Sequence, residues 1–167
     1  MIHNIDKDFD IIPEKGIGNI RLGTSIYYFQ ELYEKQKKDQ YIDIKPTINP
    51  NLIYLTDVEY CDFVTFSFNC NGILSIITLK NGYEGKLWGT ITLNSQVKDI
   101  FNTIDVKEFE IEDGFLVINN YTKLYFFLGE DVPDFSEYHE TKDLKIKEIL
   151  IIDKELLSHR PPANTSI

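Results

Sequence analysis

Three histidines are the whole imidazole supply of this 167-residue chain, and two of them, His3 and His159, stand near its ends. A Ser-His-Asp or Cys-His arrangement would therefore rest on His139 alone. Glu137 and Glu140 flank it, and Asp131 and Asp134 are near in sequence, but no HxxxH or HExxH spacing accompanies them. A surface histidine in an acidic loop is the simpler reading. Cys61 and Cys70, the two cysteines, lack a CxxC spacing and read as buried, reduced, inert thiols. Gly16, Gly18 and Gly23 miss the dinucleotide fingerprint, because the third glycine comes two positions late. Glu108, Glu110 and Glu112 recur at every second residue, which puts them on one face of a strand opposite Phe109 and Ile111. That is a solvated sheet face without a second catalytic feature. No catalytic residue, metal set or cofactor is expected, and the chain reads as a non-enzyme.

Charge carries more information. Seventeen Lys and Arg face 27 Asp and Glu, a net charge of −10. Such a surface repels phosphate backbones and anionic bilayers, so neither nucleic acid nor membrane is an expected partner. Residues 105–143 hold 11 acidic residues and three lysines, a balance of −8. Glu130, Asp131, Asp134, Glu137 and Glu140 interleave there with Phe135 and Tyr138, while Asp113 extends the Glu108–Glu112 run. Carboxylates beside aromatic anchors describe a protein interface, in which charge speeds the encounter with a basic partner and the rings hold it. Asp57, Glu59 and Tyr60 form a second cluster, expected to extend the same surface if both halves share one sheet.

The elements that position these groups read as α+β. Hydrophobic residues at 43% and aromatics at 13% exclude disorder for most of the length. Gly16 to Gly23 alternates as a short strand, after which Thr24 or Ser25 caps a helix with Ile26, Phe29, Leu32 and Tyr33 on one face and Lys35, Lys37 and Lys38 at its end. Pro46, Asn49, Pro50 and Asn51 mark a loop. Strands follow at 52–58, 63–68 and 73–79, the last two joined by a hairpin at Asn69-Cys70-Asn71-Gly72. The opening theme then returns. Gly89, Ile91, Leu93, Asn94, Ser95 and Val97 match Gly18, Ile20, Leu22, Gly23, Thr24 and Ile26 at a constant offset of 71. Gly23 and Asn94 are the two residue types that best tolerate a left-handed turn. Strands at 106–111, 115–118, 124–128 and 146–152 complete the second unit. The architecture expected is two tandem β-α-β-β-β units (16–86 and 87–153) forming an antiparallel sheet with helices on one side. Residues 1–15 then form an extension and 154–167 a tail. Tyr27, Tyr28 and Trp88 are expected in the core or at its rim, and Tyr83 at the surface.

The first residues carry no basic n-region or apolar run, and no stretch reaches the length of a membrane span, so a cytoplasmic address is expected. The motif Gly-x-Ile-x-Leu-Gly-x-Ser at 18–25, the Asn-Gly hairpin and the returning Gly-x-Ile-x-Leu at 89–93 resemble tandem-repeat inhibitors of the β-lactamase-inhibitor and BamE-like type. Size, acidity and address resemble the small immunity proteins of bacterial toxin–immunity systems, including polymorphic-toxin and contact-dependent-inhibition systems. The chain departs from BamE-like lipoproteins in lacking a signal and a lipidated cysteine. No contact residues carry over, because the matching positions are turn and core residues. The resemblance implies stoichiometric inhibition of a cognate toxin, and the acidity independently implies a basic one, such as a nuclease. The alternative is a ligand-binding or scaffold module using the sheet face.

Overall fold

A computed structural model describes residues 5–30, 34, 42–49 and 52–157, of which 42–49 and 52–55 are considered by backbone alone. His3, Leu32, Tyr33, Lys35, Lys37, Lys38, Pro50, Asn51 and the tail beyond residue 157 lie outside the described residues. Short strands β1 (Ile11–Ile12), β2 (Gly16–Ile17) and β3 (Ile20–Arg21) form a small sheet. The large sheet contains β4 (Ile42–Asn49), β5 (Leu52–Tyr60), β6 (Val64–Phe68), β7 (Leu74–Leu79), β8 (Phe109–Glu112), β9 (Phe115–Ile118), β10 (Leu124–Phe127) and β11 (Glu148–Ile152). Its order is β4-β5-β6-β7-β11-β10-β9-β8, every pair antiparallel. Each half of the chain thus contributes a four-stranded meander, and the last strands of the two meanders meet at the centre. Short helices among the described residues include, in chain order, α1 (Val97–Thr103), α2 (Tyr138–Thr141) and α3 (Lys154–Leu157).

One face of the sheet is the core. Val64, Phe66, Phe68, Ile77, Leu79, Ile149, Ile151, Leu124, Phe126, Leu116, Ile118 and Ile111 are buried along it. Their spacing of two within each strand is what a sheet covered on one side requires. A 3₁₀ turn at Ile26–Phe29 places the Phe29 ring 5.1 Å from those of Phe66 and Phe68. Helix α1 lays Val97 and Ile100 on the same side.

The two halves make matching hydrogen bonds. Gly23 (φ 85°) donates its N–H to the Leu74 carbonyl, and Asn94 (φ 71°) donates to that of Ile146. Leu74 and Ile146 return bonds to Thr24 and Ser95, while Ile26 and Val97 donate to Gly72 and Leu144. A left-handed residue is needed at 23 and 94 because the chain must reverse onto the last strand of its own meander before the helix starts.

Several local expectations change. Gly16–Gly23 is not one strand but the β2–β3 hairpin, and Gly89–Leu93 is a turn carrying only a Leu87–Ile91 bridge, with Trp88 and Gly89 both at positive φ. Ser25 does cap the first turn, accepting from the Tyr27 N–H at 3.4 Å. In the second half the cap falls on Gln96, whose N–H is held by Asp99 at 2.7 Å, and Ser95 instead accepts from Thr92. Pro46 and Asn49 lie in β4, not a loop; an edge strand tolerates proline because one row of its backbone groups is unpaired. Residues 5–15 are part of the packed body, with Ile5 and Ile11 buried and Phe9 accepting from the Tyr83 hydroxyl. Tyr83 is therefore buried rather than exposed, and burial pushes its hydroxyl well above the ordinary tyrosine range. Tyr27 and Tyr28 are exposed, because the 3₁₀ turn buries only Phe29. Trp88 does sit at the core rim against Tyr121 and Phe126. Cys61 is exposed and Cys70 partly so; some burial raises the Cys61 thiol, which keeps it protonated near neutrality.

Residues 154–157, expected as tail, form α3. Asp153 accepts the N–H groups of Glu155 and Leu156 through Oδ1, and its Oδ2 takes the Lys123 ammonium at 2.7 Å. Burial alone would raise this carboxyl, but the hydrogen bonds from Lys123, Leu156 and Glu155 hold it below the ordinary carboxylate value. The buried Asn69 anchors the same turn, donating from Nδ2 to the Leu156 carbonyl at 2.7 Å. We expect Asp153→Ala to destabilise the fold by about 1–2 kcal/mol in urea titrations at pH 7. A lowered native value means that this contribution is complete above the unfolded-chain value near pH ~4 and fades as pH falls through the native one. The gap between wild type and variant should therefore close in acid.

Gly85 has no left-handed φ, yet a Cβ there would stand 2.0 Å from the Phe9 carbonyl oxygen. Gly85→Ala should loosen residues 5–12 from the body, read as faster amide exchange at Ile11, whose N–H is bonded to Lys86.

Candidate functional site

The acidic stretch becomes a surface because strand β8 is the edge of the sheet. Glu110 and Glu112 are exposed on it and Ile111 is buried, as the spacing of two demands; Glu108, just before the strand, is exposed as well. Residues 129–137 run alongside this edge. Phe135 donates its N–H to the Ile111 carbonyl at 2.9 Å, and Asp134 accepts the Asp113 N–H at 2.8 Å. At its start the segment is tied by a bond from the Leu128 N–H to the Gly114 carbonyl. At its far end Lys98, on α1, donates to Asp143 at 2.9 Å, and the Lys98 and Val97 N–H groups bond the carbonyls of Lys142 and Leu144. The bond from Lys98 holds the Asp143 carboxyl below its ordinary value and raises the ammonium in turn. Glu140 caps α2 by accepting the Glu137 N–H at 2.8 Å.

Phe135 is the salient side chain. It is 85% exposed, and its φ of 60° is the left-handed conformation that L residues adopt at a cost. Beside it Tyr138 lies over Phe101, with ring centroids 4.5 Å apart, and Phe101 meets Phe109 edge-on at 5.3 Å. These groups surround a cleft of about 330 Å³ lined by Phe109, Glu110, Ile111, Phe135, Ser136, Glu137 and Tyr138. On the other side of the segment a second hollow of about 430 Å³ reaches Asp131, Val132, Glu140, Lys145 and Lys147. Among the described residues, Glu110, Glu112, Glu130 and Asp131 have no cation within ion-pair distance. His139 is exposed, its Nδ1 3.2 Å from the Glu137 carboxylate. No group of three or more His, Cys, Asp or Glu among the described residues is placed to hold a metal ion. No described helix is long and apolar enough to cross a membrane.

The sequence comparisons are silent: no protein-family model and no curated protein matches the chain. A solved structure does. The fold is similar to the crystal structure of the uncharacterized protein YfeY from Escherichia coli, at 12% sequence identity and a TM-score of 0.56. The match covers 86% of this chain and 99% of that one. At that identity the likeness concerns the fold alone.

Glu108, Glu110, Glu112, Asp113, Glu130, Asp131, Asp134, Phe135, Glu137, Tyr138 and Glu140 are thus gathered at one end of the sheet. The second cluster is not. Asp57 and Glu59 lie on β5, six strands from β8, or roughly 29 Å along the sheet at ~4.8 Å per strand. Glu59 does share the outer face with Glu110, through the register Glu59, Thr65, Thr78, Leu150, Tyr125, Val117, Glu110. Tyr60 falls on the opposite face and is buried against Phe63, so it is no contact residue. Sequence reasoning missed Phe101, whose helix position reads as core. Phe135→Gly should leave the fold unharmed or stabilise it by up to ~1 kcal/mol in thermal or urea unfolding, because it relieves a left-handed φ and removes almost no buried surface.

Proposed function

We propose that this chain is a stoichiometric inhibitor of the immunity-protein kind, which binds a cognate basic toxin domain in the cytoplasm and occludes its active or substrate-binding site without turnover. Phe135 carries this reading. An exposed aromatic ring on an unfavourable backbone conformation, its backbone pinned to the sheet edge by the bond to Ile111, is costly to the fold and useful to a partner. Anchors that are rigid before binding lose little entropy on association. The carboxylates around it steer a basic partner at low ionic strength and set orientation, while the ring supplies apolar burial. The matching hydrogen bonds at Gly23 and Asn94 support a tandem origin of the two halves. The acidic edge then belongs to the second copy alone.

A second reading has its own observation. The outer sheet face carries half-buried Ile76, Val117, Tyr125, Phe127, Leu150 and Ile152, and α3 sets Lys154 5.3 Å from the Tyr125 ring. A ligand-binding or scaffold module would use that face.

Affinity capture from source cells at low and high salt separates the two. The inhibitor reading expects one dominant basic protein, toxic when expressed alone and harmless when co-expressed. Phe135→Ala should then speed its dissociation about 10–100-fold. Neutralising Glu110, Glu112, Glu130 and Asp131 together should slow association about tenfold at low salt and little at high salt. A retained small molecule with no protein would overturn the reading in favour of the sheet face.

A further inference from the structure

The outer edge of β8 is covered over only part of its length. Asn119 donates its N–H to the Glu108 carbonyl, so by alternation Glu110 and Glu112 also turn their backbone groups toward β9. Phe109 and Ile111 turn theirs outward. Phe135 takes the Ile111 carbonyl, and Asp134 takes the Asp113 N–H just beyond it. Among the described residues nothing bonds the Phe109 N–H or carbonyl. A donor and an acceptor thus stand together on an open strand edge, bordered by the cleft that Phe109, Phe135 and Tyr138 line. An added antiparallel strand exchanges both of its bonds with such a residue.

The same register sorts the side chains by face. Glu108, Glu110 and Glu112 share the outer face and are exposed, and Glu110 and Glu112 have no cation within ion-pair distance among the described residues. Phe109 projects to the other face, where it meets Phe101 edge-on at 5.3 Å. A strand laid against Phe109 would set one residue beside that ring and its two neighbours beside Glu108 and Glu110. A second copy of β8 is a poor occupant, because its glutamates would oppose these, and like charges across a strand pair are destabilising. The complementary occupant is an extended segment that is basic on one side and apolar on the other.

We propose that the Phe109 end of β8 is a strand-addition site, which takes such a segment of the partner protein as a ninth strand of the sheet. The backbone pair supplies register, the three glutamates select a basic outer face, and the docked segment stops the added strand at Ile111. The assignment deepens the inhibitor reading and rests on it for the identity of the partner.

The test uses the full chain at low salt and the peptide acetyl-Thr-Lys-Val-Lys-Thr amide, read by backbone amide shifts and amide exchange. Binding should saturate, with shifts centred on residues 107–110, and exchange of the Phe109 amide should slow about tenfold. The Glu110 and Glu112 amides, already bonded to β9, should keep their rates. N-methylation of the valine keeps the charge but removes the donor to the Phe109 carbonyl, and should weaken binding about tenfold. Glu110→Gln should weaken it about threefold at low salt without lowering the unfolding temperature. Equal affinity for the N-methylated peptide, or unchanged exchange at Phe109, would overturn the assignment as mere charge attraction. A captured toxin that is neutralised while the Phe109 amide keeps its free rate removes the edge site and leaves the inhibitor. Peptide-slowed exchange at Phe109 with no toxin in the capture leaves the edge site and removes the inhibitor.

Discussion

The pairing of β7 with β11 is the contact on which the rest of this molecule depends. It joins Leu79 to Ile149 and Ile77 to Ile151 across the middle of the sheet, and so turns two four-stranded meanders into one eight-stranded surface. A meander of that size with one apolar face and no partner would expose a row of unpaired backbone groups and a hydrophobic strand edge. Antiparallel pairing of the two last strands removes both faults at once. It also decides where the remaining edges fall: β4 at one end and β8 at the other.

Those edges are treated differently. β4 contains Pro46, which has no N–H to offer a neighbouring chain. β8 is flanked by residues 129–137, bound through Phe135 and Asp134, and its exposed side chains are carboxylates. Like-charged side chains and a docked segment both discourage edge-to-edge association. The same features border the cleft lined by Phe109, Phe135 and Tyr138. The segment that covers the edge and the candidate site are here made from the same residues, and the left-handed Phe135 is where the two meet.

Much of this was legible in residue spacing. The two-residue period of Glu108, Glu110 and Glu112 against Phe109 and Ile111 requires an exposed and a covered face whatever else the chain does. The Asn69–Gly72 turn follows from local conformational preference: Gly72 lies at φ 68°, and Asn69 Oδ1 accepts the N–H groups of Asn71 and Ile73. The left-handed residues at 23 and 94 were marked by type. Where local reading failed, a neighbour distant in sequence had intervened. Tyr83 is buried because Phe9, 74 residues earlier, accepts its hydroxyl. Residues 5–15 are held because the loop at 83–87, far along the chain, bonds them: Ile11 donates to Lys86, and Glu84 and Gly85 donate to Lys7.

By itself, then, the amino-acid sequence determined the antiparallel α+β character, the concentration of negative charge in residues 105–143 and the aromatic anchors among them, since these follow from composition, period and turn preference. Only the tertiary structure decided that Asp57 and Glu59 stand at the far end of the sheet from that charge, that Tyr60 faces inward, and that Phe101 lies under Tyr138. The reason is that strand order and helix placement come from burying whole faces against one another. Such burial is non-directional, is shared by many residues at once, and leaves no short-range mark in the sequence.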